Sequence, residues 1–298
     1  MKALVTGGTG FIGSNLAIEL DNQGYEVIVT GNESEQKLPQ GRRVLYPTLM
    51  GINWDILDGI DIVFHQAAMN DTTNLDSQVM IHANYLTTVE FFKKMIDRGC
   101  KNIVYASSTA VYGDAPAPYK EGMVKNPLNP YAESKLCVDV AVSDLSKENP
   151  DVKFVGLRYC NVYGPRESHK GKKASMIYQL AKQMTYGSPR IFEDGSQKRD
   201  HIYVKDVVEA NILASKAKES CIVNCGSGSA TTFNRLVEII NEVMGTSRPI
   251  EYIPNPYADR YQNHTECDMS LAKEKIGFVP RYSIEQGIKD YFDSGFLV

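Results

Sequence analysis

A short apolar run, Lys2-Ala3-Leu4-Val5-Thr6, passes directly into Gly7-Gly8-Thr9-Gly10-Phe11-Ile12-Gly13. The run reads as a buried strand and the glycines as the tight turn after it. Phe11, Ile12, Leu16, Ala17 and Leu20 then form the apolar stripe of a helix. No other stretch constrains the fold as much, because strand, glycine turn and helix in that order open a βαβ unit, whose crossover is almost always right-handed. Glycines at 7, 10 and 13 let the backbone approach a pyrophosphate seated on the unpaired N–H groups and positive dipole end of the helix. The spacing is one residue wider than the G-x-G-x-x-G fingerprint, and three glycines alone also fit a structural turn without a ligand. The rest of the chain has to decide.

Asp21 to Gly24 reads as a turn and Glu26 to Thr30 as a second strand, which completes the βαβ unit. Arg43 to Tyr46 reads as a third strand after a polar loop from Gly31 to Gly41, and Asp61 to His65 as a fourth. Asp76 to Arg98 predicts one long helix with Gly99 as its C-terminal stop. Asn102 to Ser107 is a fifth strand, Tyr131 to Lys147 a helix begun after Pro130, and Phe154 to Tyr159 a further strand. This alternation predicts an α/β fold, a doubly wound parallel sheet of the Rossmann type with helices on both faces. Ligands of such sheets bind at the carboxyl ends of the strands. From about Val162 the texture changes to longer loops, with helices at Ala174–Gly187, Asp206–Lys216 and Phe233–Met244 and short strands at His201–Val204 and Cys221–Asn224. We expect a dinucleotide-binding domain over 1–161, to which some later segments return, and a mainly substrate-binding smaller lobe over 162–298.

Composition narrows the partner. A chain of 298 residues with a net charge of −4 and interspersed charges offers no basic surface for nucleic acid or a lipid headgroup. Met1 leads straight into a strand, and no apolar run approaches the roughly 18 residues of a membrane span, so a cytoplasmic protein without a signal peptide is expected. The six cysteines show no CxxC pair and the five histidines no HExxH or HxH cluster, so neither disulfides nor a metal site is expected. A small molecule is the expected partner.

Three residues carry the expected chemistry. Tyr131 and Lys135 stand four apart, on one face of a helix. A tyrosine with an ordinary pKa of about 10 is a poor base at neutral pH. A neighbouring ammonium, aided by the positive ring of a bound nicotinamide, lowers that value and lets the phenolate take a proton from a substrate hydroxyl as hydride leaves the same carbon. The same spacing recurs at Tyr178 and Lys182. Position separates the two pairs, because Tyr131 opens a helix at the ligand-binding edge while the later pair falls in the smaller lobe. Ser108, at the carboxyl end of strand five, is placed to hydrogen-bond both the phenol and the reacting oxygen.

These stretches, together with His65-Gln66-Ala67-Ala68, Tyr105-Ala106-Ser107-Ser108, Val111-Tyr112-Gly113 and Arg158-Tyr159-Cys160-Asn161-Val162-Tyr163-Gly164-Pro165-Arg166, resemble the extended short-chain dehydrogenase/reductases, and among them the nucleotide-sugar epimerases. Ordered matches cover nearly the whole chain. Gly164 to Gly171 with Ala174-Ser175, Ala68 to Thr73, Phe192-Glu193, Lys198-Arg199-Asp200, Glu251 to Pro254 and Asp259 to Gln262 are similar to stretches of ADP-L-glycero-D-manno-heptose 6-epimerases. The resemblance implies metal-free epimerisation by transient oxidation with a tightly held nicotinamide cofactor, in a homodimer or higher homo-oligomer paired through the two long helices. It implies catalytic roles for Ser108, Tyr131 and Lys135, with Lys170 as a second acid/base on the other face of the ketone. Cofactor contacts are implied for Gly7, Gly10, Phe11, Ile12, Gly13, Asn32, Ala67 and Ala68 as well as Tyr131 and Lys135, with Asn84 counted among the cofactor-site residues at the position that steadies the architecture behind Lys135. Substrate contacts are implied for Thr72, Ser108, Asn161, Glu167, Phe192, Arg199, Arg260 and Tyr261, the arginines on the diphosphate.

The chain departs from the pattern where an acidic residue often ends strand two to hold the adenosine ribose. Thr30-Gly31-Asn32 stands there instead, and Lys37, Arg42 or Arg43 can face a 2′-phosphate, so NADP is slightly favoured over NAD. Gln179 and Lys172 also differ from the polar residues at those places in the heptose epimerases. Dehydratases and decarboxylases of the superfamily carry carboxylates just before Val-Tyr-Gly, where this chain has Thr109 and Ala110. A UDP-hexose 4-epimerase shares Ser108, Tyr131 and Lys135 and is the nearest alternative, separated by the His169-Lys170-Gly171 stretch. A dinucleotide sensor without turnover is a further alternative, and such a protein has no need of all three.

Overall fold

The computed structural model describes residues 1–31, 38, 43–45, 54–70, 75–256 and 263–298. The first half runs β1 (Lys2–Thr6), α1 (Phe11–Asn22), β2 (Glu26–Thr30), β3 (Arg43–Leu45), β4 (Ile62–His65), α2 (Ser77–Met80), α3 (Thr87–Asp97), β5 (Asn102–Ser108), α4 (Pro130–Glu148) and β6 (Lys153–Tyr159). Then come β7 (Asn161–Tyr163), α5 (Met176–Tyr186), β8 (Arg190–Phe192), β9 (Lys198–Tyr203), α6 (Val204–Ser215), β10 (Cys221–Cys225), β11 (Ala230–Thr232), α7 (Phe233–Met244), β12 (Glu251–Ile253), β13 (His264–Thr265), α8 (Ser270–Ile276) and α9 (Ile284–Asp293).

Seven strands form the main sheet in the order β10-β6-β5-β4-β1-β2-β3, every pair parallel. Successive side chains of a strand point to opposite faces. Ala3 and Val5 accordingly join a core with Leu16, Leu20, Val207 and Ile212, while Leu4 joins one with Phe91, Phe92, Met95, Val138 and Val142. A parallel sheet covered on both faces needs apolar residues at consecutive positions, which is why β1 reads as an unbroken apolar run. The doubly wound sheet expected from the alternation is the one observed.

One expected element differs. The helix predicted from Asp76 to Arg98 starts as expected, with the Asp76 carboxylate accepting from the Val79 N–H at 3.1 Å, but Ile81–Leu86 widen into a π-helical segment between α2 and α3. Such widened turns occur mostly where a side chain must be re-aimed. Here it carries Asn84, whose amide is buried against two other segments. Gly99 follows α3 with φ 84°, the left-handed stop that glycine adopts without steric cost.

After β6 the chain builds a second layer. β9 sits in a small sheet, antiparallel to β11 and parallel to β7 and β13, and β8 pairs with β12. The strand expected at His201–Val204 in fact spans Lys198–Tyr203, and Val204 opens α6. α5, α7 and α9 enclose their own core of Ile177, Leu180, Met184, Phe233, Leu236, Ile240 and Ile288. β10 returns to the main sheet beside β6. Among the described residues no helix is long and apolar enough to cross a membrane.

Candidate active site

The carboxyl ends of β1, β4, β5 and β6 converge on a cleft of about 580 Å³, within the range of small-molecule sites. The glycine turn forms one end. Gly7 has φ 63°, and a Cβ there would lie 2.8 Å from the Ala67 nitrogen; a Cβ on Gly13 would lie 2.2 Å from the Gly7 carbonyl oxygen. The turn is closed by the Gly8 N–H donating to the Thr30 carbonyl (2.8 Å) and the Gly10 N–H to the Gly7 carbonyl (3.0 Å). Gly10 caps α1 without a side-chain hydrogen bond, and the first turn holds no acidic residue. The N-terminal end of α1, without a side-chain cap and beside a cradle too tight for a Cβ, fits the pyrophosphate of a dinucleotide. Phe11, Ile12 and Ala68 line the cleft, while Gly7, Gly10, Gly13 and Ala67 form the turn behind it.

α4 brings Tyr131 and Lys135 into the lining of the cleft. Asn129 caps it, accepting from the Ala132 N–H at 2.9 Å, and Pro130 occupies the first turn where no N–H is needed. Lys135 lies one turn beyond Tyr131, with its ammonium 6.0 Å from the phenol ring centroid, and donates to the Ala106 carbonyl at 2.9 Å. Ser108 is near enough to the phenol to pull its pKa down, and its hydroxyl accepts from the Ala110 N–H at 3.2 Å. Burial raises the Tyr131 pKa against that pull, and burial lowers Lys135 to about 8, opposed by Asp139. In the chain by itself desolvation outweighs the pull of Ser108 on Tyr131. The other pair, Tyr178 and Lys182, lies on α5 outside the cleft, with Lys182 exposed.

Asn84 does not line the cleft. Its amide accepts from the Met69 N–H (2.7 Å) and donates to the Met69 carbonyl (2.9 Å) and the Ser134 hydroxyl (3.0 Å). It thus forms a clamp that ties the segment after β4 to α4 beside Lys135, in keeping with the steadying role expected of it, and is set back from the cleft wall. His65, behind the same strand ends, is hydrogen-bonded to Thr6 and Thr88, both at 2.9 Å, and burial followed by the charge of Lys135 lowers its pKa to about 3.

Asn161, Lys170, Phe192 and Arg199 also line the cleft, as expected. Lys170 holds its ammonium 5.4 Å from the Phe11 ring centroid. Burial lowers its pKa, opposed by Glu167. Lys172, by contrast, is exposed. The Asn161 amide donates to the Asp200 carbonyl at 2.9 Å. Glu167 is a correction: its carboxylate is turned into the protein, accepting from the Gly164 N–H at 3.1 Å and from both the N–H and hydroxyl of Ser175, so it organises the Lys170 loop and is absent from the cleft wall. Asn32, Thr72, Arg260 and Tyr261 lie outside the described residues. The sequence reading passed over His201 and Ser107, which also line the cleft. For His201 a signal existed, since residues 199 and 201 of one strand share a face.

The NAD dependent epimerase/dehydratase family matches this chain over residues 3–226. The chain belongs to that family. It is 36% identical to the ADP-L-glycero-D-manno-heptose-6-epimerase of Alkalilimnicola ehrlichii, over 98% of this chain and 96% of the relative. The crystal structure of the Helicobacter pylori ADP-L-glycero-D-manno-heptose-6-epimerase is 35% identical with a TM-score of 0.89, over 98% of this chain and 95% of that one. The UDP-glucose 4-epimerase of Thermotoga maritima, solved with UDP-glucose, is 31% identical with a TM-score of 0.89, over 99% of both chains. Family membership agrees with the resemblance read from the sequence, and the family is nicotinamide-dependent.

Proposed function

We propose that this family member is an ADP-glycero-manno-heptose 6-epimerase that works by transient oxidation and re-reduction of the sugar. The observation that carries the reading is that Lys170, from the His169-Lys170-Gly171 stretch, lines the same cleft as Ser108, Tyr131 and Lys135. The heptose epimerases of Alkalilimnicola and Helicobacter support the substrate.

A bound nicotinamide supplies reversible two-electron oxidation of the carbinol carbon and a positive ring. The glycine turn, Ala67 and Ala68 hold such a cofactor, with Asn84 bracing the site from behind. Tyr131 accepts the hydroxyl proton and returns it, Ser108 holds the same oxygen, and Lys135 adds positive charge beneath the phenol. Lys170 serves the opposite side, where its lowered pKa eases proton donation. Arg199 and Arg260 take the diphosphate, Asn161 and Thr72 hold the sugar end, and Phe192 and Tyr261 pack on base and sugar.

NADP is the cofactor we favour, because β2 ends in Thr30-Gly31-Asn32 without a carboxylate and Lys37, Arg42 and Arg43 follow. We take 1–161 as the dinucleotide-binding domain, joined by β10, and 162–298 as mainly the substrate lobe. Exposed Val79, Leu86 and Val140 on α2, the π segment and α4 support a homodimer paired through these helices.

Denatured protein should release NADP, and incubation with ADP-heptose should give the 6-epimer by NMR. An unchanged ADP-heptose spectrum with interconversion of UDP-glucose and UDP-galactose would transfer the assignment to a UDP-hexose 4-epimerase, the reading favoured by likeness to the Thermotoga enzyme.

A further inference from the structure

His201 lies on β9, two residues beyond Arg199 and directly opposite Asn161 of β7. Its side chain lines the cleft together with Cys160, Asn161 and Arg199. The residue is only 5% exposed, and among the described residues neither ring nitrogen has a hydrogen-bond partner. Ser107, also in the cleft wall, leaves one buried oxygen in that condition; His201 leaves two. Burial, with the charge of Arg199 as a second cause, lowers its pKa to about 3, so the ring is neutral at physiological pH. A neutral imidazole carries one N–H donor and one lone-pair acceptor.

Packing alone does not account for this choice of residue. The ring meets Tyr163 edge to face, with centroids 6.4 Å apart, a contact that a phenyl ring makes as well. A phenyl ring also avoids the cost of leaving buried polar atoms without partners. An orphaned donor and acceptor in the wall of a substrate cleft point to a group that arrives with the ligand. A phosphate oxygen satisfies only the N–H, whereas a hydroxyl, which both donates and accepts, satisfies whichever nitrogen faces it. The torsion that turns a histidine ring is soft, and rotation about it exchanges ring carbon and nitrogen positions.

We propose that His201 is a specificity-determining residue whose imidazole hydrogen-bonds a hydroxyl of the bound nucleotide sugar, beside the diphosphate grip of Arg199. The assignment rests on the reading of the cleft as a nucleotide-sugar site, but not on which sugar is epimerised. The hydroxyl belongs either to the ribose or to the transferred sugar, and two ligands tell these apart.

The test is calorimetric titration of the cofactor-loaded full chain, unaltered and as His201→Phe and His201→Gln, with ADP, ADP-heptose and UDP-glucose. His201→Phe keeps the ring and removes both orphaned nitrogens, so its thermal midpoint should match or exceed that of the unaltered chain. Its affinity for the nucleotide sugar that the unaltered chain binds should fall about tenfold, the loss of one such hydrogen bond. His201→Gln, which restores a donor and an acceptor, should recover part of that affinity. An equal loss with ADP assigns the ribose hydroxyl, and a loss confined to the nucleotide sugar assigns a sugar hydroxyl. Affinities unchanged in His201→Phe would overturn the inference and leave the epimerase reading standing. If His201→Phe does not fold, His201→Leu, which also lacks both nitrogens, takes its place: a tenfold loss that His201→Gln partly recovers supports the assignment, and unchanged affinity overturns it. Failure of the unaltered chain to bind either nucleotide sugar would sink both.

Discussion

The Lys170 ammonium stands 5.4 Å from the centroid of the Phe11 ring. The loop that supplies the second proposed proton donor is therefore seated on the first residue of the helix after the glycine turn. Two further contacts hold it there. The Asn15 amide donates to the carbonyls of both Phe11 (2.9 Å) and Pro165 (3.0 Å), and the Glu167 carboxylate gathers Gly164 and Ser175 beneath the loop. The walls that we propose for substrate and cofactor are thus fastened to each other.

Removal of the Lys170 ammonium should slow turnover with the cofactor still bound. Lys170→Met is expected to lower kcat by about 10²–10⁴-fold, the usual worth of one general acid/base. Exposed Lys172, replaced by Met, should change kcat less than twofold. Steady-state kinetics on both variants, with cofactor content measured by absorbance, check the contrast.

Tyr131→Phe should abolish epimerisation while leaving the circular dichroism spectrum and thermal midpoint near those of the unaltered protein. The phenol ring stays, and only the buried hydroxyl beside Ser108 is lost. Retention of more than a few per cent of activity would remove Tyr131 from its role.

Asn84→Ala cuts the clamp between the Met69 backbone and Ser134. We expect a loss of about 2–3 kcal/mol in denaturant unfolding, since two backbone groups of Met69 lose their partner. Retention of the nicotinamide through gel filtration should fall as well, because the clamp positions the segment after β4.

Acid should destabilise the fold through its two buried histidines. His65 and His201 are both held near 3, against an ordinary value near 6.5, so below 6.5 the unfolded chain binds protons that the native state refuses. Their contribution is complete above pH 6.5 and is lost as pH falls toward 3. Each adds a slope of up to about 1.4 kcal/mol per pH unit inside that window. Urea unfolding of His201→Phe between pH 6.5 and 4 should show a shallower slope by that amount, and an unchanged slope would contradict the buried, neutral state.

Sequence alone determined the features that depend on neighbours along the chain. The apolar run at Lys2–Thr6, the glycines at 7, 10 and 13, the proline before Tyr131 and the four-residue step to Lys135 each act through local geometry, so the sheet type and the placing of Tyr131 and Lys135 on one helix at the strand ends were legible from residue order. Tertiary structure decided what depends on burial and on partners far away in sequence. Asn84 turned out to brace Met69 and Ser134 because a π segment re-aims it, and Glu167 folds inward because Gly164 and Ser175 offer it donors. The Tyr131 phenol is raised because desolvation outweighs its neighbours. The alternation that puts His201 on the face of Arg199 was there to be read, but a histidine in a short strand carries no mark of whether its nitrogens find partners, and that showed only once β9 was packed. Hydrogen-bond satisfaction and desolvation belong to the packed molecule, and no periodicity of the chain encodes them.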